Sequence, residues 1–248
     1  MGHTDKPPGL WPKALFLLEF HQAVQRKYPM NKTLPRLALA ALAMPALTLG
    51  ALADTSASAP APVIDNTWVS VRDIQLAPGM AGPALTHAGD YAVLYISGGK
   101  VQSNGVTTAH EAGSASFGHG GTVSDTAVDG PVHEVVIDLK DAPSGSVPNT
   151  TGLPNGFPRP GSKKVFENSR VIVWNYTWLP GKPTPMHFHD KNVVVVYAGN
   201  GPLKGVSPDG KEVVNNYKAG EIRFNTANRA HYEVLTEGEQ SAVMMELK

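Results

Sequence analysis

The chain has 248 residues with 21 basic and 21 acidic side chains, a formal charge of zero that gives no broad field for nucleic acid or an anionic membrane surface. Cysteine is absent, which excludes disulfides, thiolate metal ligands and a cysteine nucleophile. The 25 glycines and 21 prolines, set among short Val/Ile-rich runs, point to a β protein with frequent turns.

In chain order, the first legible segment starts at Met30. Lys32 and Arg36 precede an apolar run from Leu37 to Ala53 that ends Ala51-Leu52-Ala53. That is the charged, apolar, small-x-small order of a secretory signal, with cleavage expected before Asp54. The run carries Pro45 and is short for a bilayer span. Met30 also reads as a start, which makes 1–29 an upstream extension. Export through a two-membrane envelope would leave the protein periplasmic or secreted. Residues 54–62 then form a short linker.

An internal repeat follows. Residues 63–102 align with 165–204 without a gap at a constant offset of 102, with eleven identities in forty. Among them, Asn66, Pro78, Gly79, His87 and Tyr95 recur as Asn168, Pro180, Gly181, His189 and Tyr197. The copies also close alike, at Val136–Lys140 and Met244–Lys248. The expected organisation is a first module over 63–140, a Pro/Gly-rich connector over 141–164 and a second module over 165–248. From Val171 to Trp178 the aromatic Trp174, Tyr176 and Trp178 alternate with Val173, Asn175 and Thr177, the period of a strand. Those aromatics either line a substrate cavity or pack a core. Asn192–Tyr197 is a β-branched run expected to be buried on both faces.

His187 and His189 stand at i and i+2, so on a strand they share a face, and a third imidazole from a neighbouring antiparallel strand can join them. Gly181, five residues, His187, one residue, His189, then Val194, six residues and Gly201 match most of the first signature of the cupin superfamily. Gly220 with His231 eleven residues later matches the second. The chain thus resembles the cupins in their two-barrel, bicupin form, and the resemblance covers essentially all of the mature chain. It implies an all-β fold of two tandem jelly-roll barrels, with His187, His189 and His231 holding one metal in the second. Three neutral imidazoles suit a divalent transition metal, iron(II) first, with Mn, Ni, Cu or Zn as alternatives.

The chain also departs from the family pattern. Val194 stands where many cupins carry a ligating glutamate, and Thr226-Ala227-Asn228 replaces the expected Pro-x-Gly turn before His231. In the first module Leu85 aligns with His187, and the His231 position falls near Val123 or Ser124, so that barrel is expected to bind no metal. His110, His119 and His133 lack motif spacing, and His119 is read in a flexible, solvated loop over Gly118–Gly121. Tyr176 and Arg223 are the expected substrate-lining residues, Arg223 as a carboxylate clamp. No catalytic acid or base is assigned; Asp190 and Glu233 lie near the ligands without a motif role. The resemblance implies an oxygenase-like metalloenzyme acting on a small organic molecule. A non-catalytic metal- or ligand-binding module and a metal-dependent isomerase or lyase are the alternatives. No nucleic-acid partner and no membrane association after cleavage are expected, and the chain is read as a monomer or homodimer.

Overall fold

Both copies open on the same turn. The Asn66 side-chain oxygen accepts from the backbone N–H groups of Trp68 and Val69, and Asn168 does the same for Arg170 and Val171. Each asparagine satisfies two donors that the following strand leaves free, which explains its recurrence. The computed structural model describes residues 58–248, so the leader and upstream extension expected over 1–53 lie outside the described residues.

The first copy runs β1 (Ile64–Asp65), β2 (Val69–Leu76), β3 (Leu85–Tyr95), β4 (Gly99–Ser103), β5 (Val106–His110), β6 (Ser114–Val123), β7 (Asp125–Ala127) and β8 (Val132–Leu139). The second runs β9 (Lys163–Glu167), β10 (Val171–Trp178), β11 (His187–His189), β12 (Val193–Tyr197), β13 (Gly201–Val206), β14 (Glu212–Tyr217), β15 (Ile222–Asn225), β16 (Arg229–Leu235) and β17 (Gln240–Leu247). All paired strands are antiparallel, and each copy contains a five-stranded sheet in the same order: β1-β2-β8-β3-β6 in the first and β9-β10-β17-β12-β15 in the second. A smaller sheet completes each barrel, β5-β4-β7 and β11-β16-β13-β14. The repeated Pro-Gly pair turns the chain after β2 and β10. Gly79 and Gly181 take φ of +70° and +69°, a conformation open to glycine, and donate to the carbonyls of Ala127 and Leu235.

Strand alternation divides the core into three layers. Val71, Leu94 and Ile137 from the first large sheet meet Val173, Val194 and Met245 from the second, forming one apolar layer shared by both barrels. The opposite faces fill the barrels: Ile74, Leu85, Val93 and Val136 inside the first, and Trp174, Trp178, Val195 and Met244 inside the second. Residues Val193–Tyr197 are all buried because β12 lies between these two layers.

The first barrel differs from the expectation at one place. The Gly118–Gly121 run is not a loop; it continues β6, where Gly120 and Gly121 adopt positive φ opposite a register shift between His87 and Asp90 of β3. His119 is exposed on this strand and hydrogen-bonded to Asp90 at 2.6 Å. His87 is buried, bound to Asp138 at 2.5 Å and stacked on Tyr91. Leu85 pairs with Val123 as His187 pairs with His231, so an apolar pair occupies the place of two imidazoles.

Glu134 is enclosed in this barrel with an unpartnered carboxyl oxygen, and burial, reinforced by Asp125, pushes its pKa up to about 8. The folded carboxyl therefore keeps a proton that the unfolded chain releases near pH 4.5, and stability falls as pH rises from that value towards 8. Glu134→Gln is expected to leave stability unchanged below about pH 4.5 and to raise it by about 2–4 kcal/mol at pH 8, measured by urea unfolding at both pH values.

Candidate metal centre

The first two imidazoles are placed by β11. His187 and His189 are buried on one face of a three-residue strand that pairs with β16 in a register setting His187 opposite His231 and His189 opposite Arg229. Directly opposed residues in an antiparallel pair project to the same side, so Arg229, His231 and, two residues on, Glu233 join that face. The turn that presents β16 forms without Pro-x-Gly: Asn228 takes φ of +62° in the glycine place, a conformation asparagine tolerates, and its N–H donates to the His189 carbonyl at 2.9 Å. Buried Asn192 fixes the same turn by accepting from Ala227 N–H at 2.8 Å.

One ligand atom from each of His187, His189 and His231 lies within 4.8 Å of the others. The Nε2 atoms of His187 and His189 are 3.1 Å apart. His187 Nδ1 donates to the Pro185 carbonyl at 2.8 Å, and since a carbonyl only accepts, the neutral ring turns its Nε2 lone pair inward. His231 Nε2 is buried with no hydrogen-bond partner. Burial, then the Arg159 guanidinium, push His187 down to about 4; burial and Arg229 hold His189 well below its ordinary value; burial also lowers His231. Three neutral imidazoles with converging lone pairs, one of them orphaned, form a donor set that fits a transition metal.

Val194 faces away from this cluster into the layer between the barrels; the residue that lines the cavity is Val193. Val193 has the parity of His189, so the alternation holds across the irregular backbone between β11 and β12. Neither side chain can ligate.

Arg159, which no sequence motif marks, and Glu233, which has no motif role, both stand beside the cluster. Arg159, from the connector, enters the second barrel: its side chain is 4% exposed, it donates to His187 Nε2 at 2.9 Å, and its guanidinium lies over the Tyr176 ring at 3.9 Å. The connector passes so close to β11 that a Cβ at Gly156 would lie 2.8 Å from His189 Nδ1. Glu233 accepts from Trp178 Nε1 at 3.0 Å and from Arg159 at 3.4 Å. Burial alone would raise its pKa; Arg159, His231 and His187 outweigh burial and hold the carboxyl below its usual range. Strand parity from His231 could have found Glu233; no periodic signal marks Arg159.

Tyr176 lies beneath Arg159 and packs edge-on against Trp178, part of the barrel core. Arg223, the expected carboxylate clamp, stands instead on the edge strand β15, 57% exposed and paired with Glu221 at 2.5 Å, outside the cavity lining. Its place in the cavity is taken by Arg229. A cavity of about 450 Å³ is lined by His189, His231, Arg159, Arg229 and Glu233, with apolar walls that include Val195, Leu203 and Met244.

No family model matches the sequence, and no curated protein matches it. Solved structures do. AerE from Microcystis aeruginosa superposes with a TM-score of 0.53 at 13% identity over 77% of this chain and 98% of that one. A mutant of Bacillus subtilis oxalate decarboxylase OxdC gives 0.51 at 15% identity over 73% of this chain and 68% of that one. At these identities the likeness establishes the fold: the chain is a cupin-fold protein, all-β, with two jelly-roll barrels in tandem. Its second barrel carries a three-histidine cluster suited to a metal ion.

Proposed function

We propose that the second barrel is a metalloenzyme centre in which His187, His189 and His231 hold one divalent transition metal, iron(II) first among Fe, Mn, Ni, Cu and Zn, and that its reaction is oxygenase-like on a small organic molecule. The observation carrying this reading is that three neutral imidazoles, one with an orphaned buried nitrogen, converge on one another, and that His189 and His231 line a cavity of about 450 Å³. A bound redox-active metal would supply oxygen activation, and any divalent ion would supply Lewis acidity towards a carbonyl. The chain's own part is to hold and orient. The Pro185 carbonyl fixes the His187 tautomer, and Trp178 and Arg159 keep the Glu233 carboxylate charged and aimed at the cluster. Oxygen uptake by iron-loaded protein with a small diketone or thiol, absent in His187→Ala, is the expected result. Turnover of such a molecule without oxygen would overturn the oxygenase chemistry in favour of an isomerase or lyase.

Export after cleavage before Asp54 belongs to the same proposal, and the N-terminal mass of secreted protein tests it. A binding module without turnover is the second reading, favoured by the hydrogen bond that Arg159 makes to His187 Nε2. That nitrogen cannot serve the guanidinium and a metal together. Arg159→Gln is therefore expected to tighten metal binding by about 10-fold or more, because a nearby cation is removed and Glu233 is left without its countercharge. Competition against a chromogenic chelator measures this, and unchanged or weaker affinity would show that Arg159 does not oppose the metal.

A further inference from the structure

The charges around the cavity do not balance. The lining holds three cations, Arg159, Arg229 and Lys211, against one carboxylate, Glu233, which is paired with Arg159. Arg229 is half-buried; its Nε donates to the Thr226 carbonyl at 2.7 Å, which fixes the direction of the guanidinium. Among the described residues no carboxylate lies within ion-pair distance of Arg229, and its two terminal nitrogens have no side-chain hydrogen-bond partner there. A guanidinium partly withdrawn from water without an anion carries a desolvation cost, and an incoming carboxylate can take up its two free terminal nitrogens through two parallel hydrogen bonds. Arg229 is also the register partner of His189, so a group on it lies beside the three-imidazole cluster. The remaining walls are largely aliphatic and aromatic, with Asn215 and Asn225 as neutral polar groups.

We propose that this cavity binds a small organic acid, anchored by its carboxylate on Arg229 with its short body towards His189 and His231. The proposal deepens the functional reading above and rests on the same cavity, but it does not require the metal. Arg229 sets which molecules enter, and the histidines act on the part the arginine does not hold.

The test is calorimetric titration of malonate, benzoate and malonamide into chelator-treated and metal-loaded protein, for the natural chain, Arg229→Gln and Arg229→Lys, with metal content measured on each sample. The expected result is binding of malonate or benzoate, at least about 10-fold weaker malonamide binding, and a loss of at least about 10-fold in Arg229→Gln that Arg229→Lys partly restores. Metal stoichiometry stays the same in all three proteins. Equal binding of malonate and malonamide, equal affinity in Arg229→Gln, or no acid bound by the natural chain would overturn the proposal. If the chain takes up no metal yet binds acids through Arg229, the metal reading fails and the anion site stands. Metal without an Arg229-dependent acid gives the converse.

Discussion

His231→Ala is expected to weaken transition-metal binding by on the order of 100-fold or more, measured by chelator competition, while the barrel stays folded. His231 is the one imidazole from β16, and its ring nitrogen is buried with no other partner, so alanine removes a ligand without freeing a hydrogen bond. His187 and His189 would remain as a two-nitrogen site, and a divalent ion loses several kcal/mol of binding energy with each imidazole withdrawn. Glu233→Gln serves as the contrast. Its oxygen lies 3.7 Å from His231 Nε2, too far for a hydrogen bond, so the carboxylate acts through charge, and about a 10-fold effect is expected. Equal losses in the two variants would make Glu233 a direct ligand.

Leu94→Ala is expected to destabilise the whole protein by about 3–5 kcal/mol and to lower Tm by about 5–15 °C. Leu94 is fully buried in the layer shared by the two large sheets, so its removal leaves a cavity between the barrels. The first barrel holds Leu94 and also Trp68, so the measurement is made in a Trp68→Phe background, where Trp174 and Trp178 report on the interior of the second barrel. With a common core, tryptophan fluorescence and far-ultraviolet circular dichroism should trace one coincident transition with and without Leu94→Ala. Two separated transitions, with fluorescence unaffected by the substitution, would show that the barrels fold independently.

The alignment of 63–102 with 165–204 carried much of the fold, because the recurring residues are those whose backbone roles are fixed. Asn66 and Asn168 close the same turn, and Gly79 and Gly181 adopt the same positive φ. The aromatic parity of β10 was equally readable, since a strand allows only two faces. Motif spacing misled at one place: the six-residue interval before Gly201 points to Val194, whereas strand alternation counted from His189 points to Val193, which is the residue in the cavity. Arg223 and Arg229 look alike in sequence, and only pairing distinguishes an edge strand from the strand that carries His231. Arg159 was invisible for a different reason. It lies in a Pro/Gly-rich connector with no periodic pattern, and its burial depends on tertiary contacts with Tyr176 and His187.

The most direct test is elemental analysis of protein purified from Asp54 onward, beside the His187→Ala, His189→Ala double variant. The expected result is about one transition-metal ion per chain, lost in the variant. No metal after incubation with Fe(II), Mn(II), Ni(II), Cu(II) and Zn(II), or equal metal in both proteins, would contradict it.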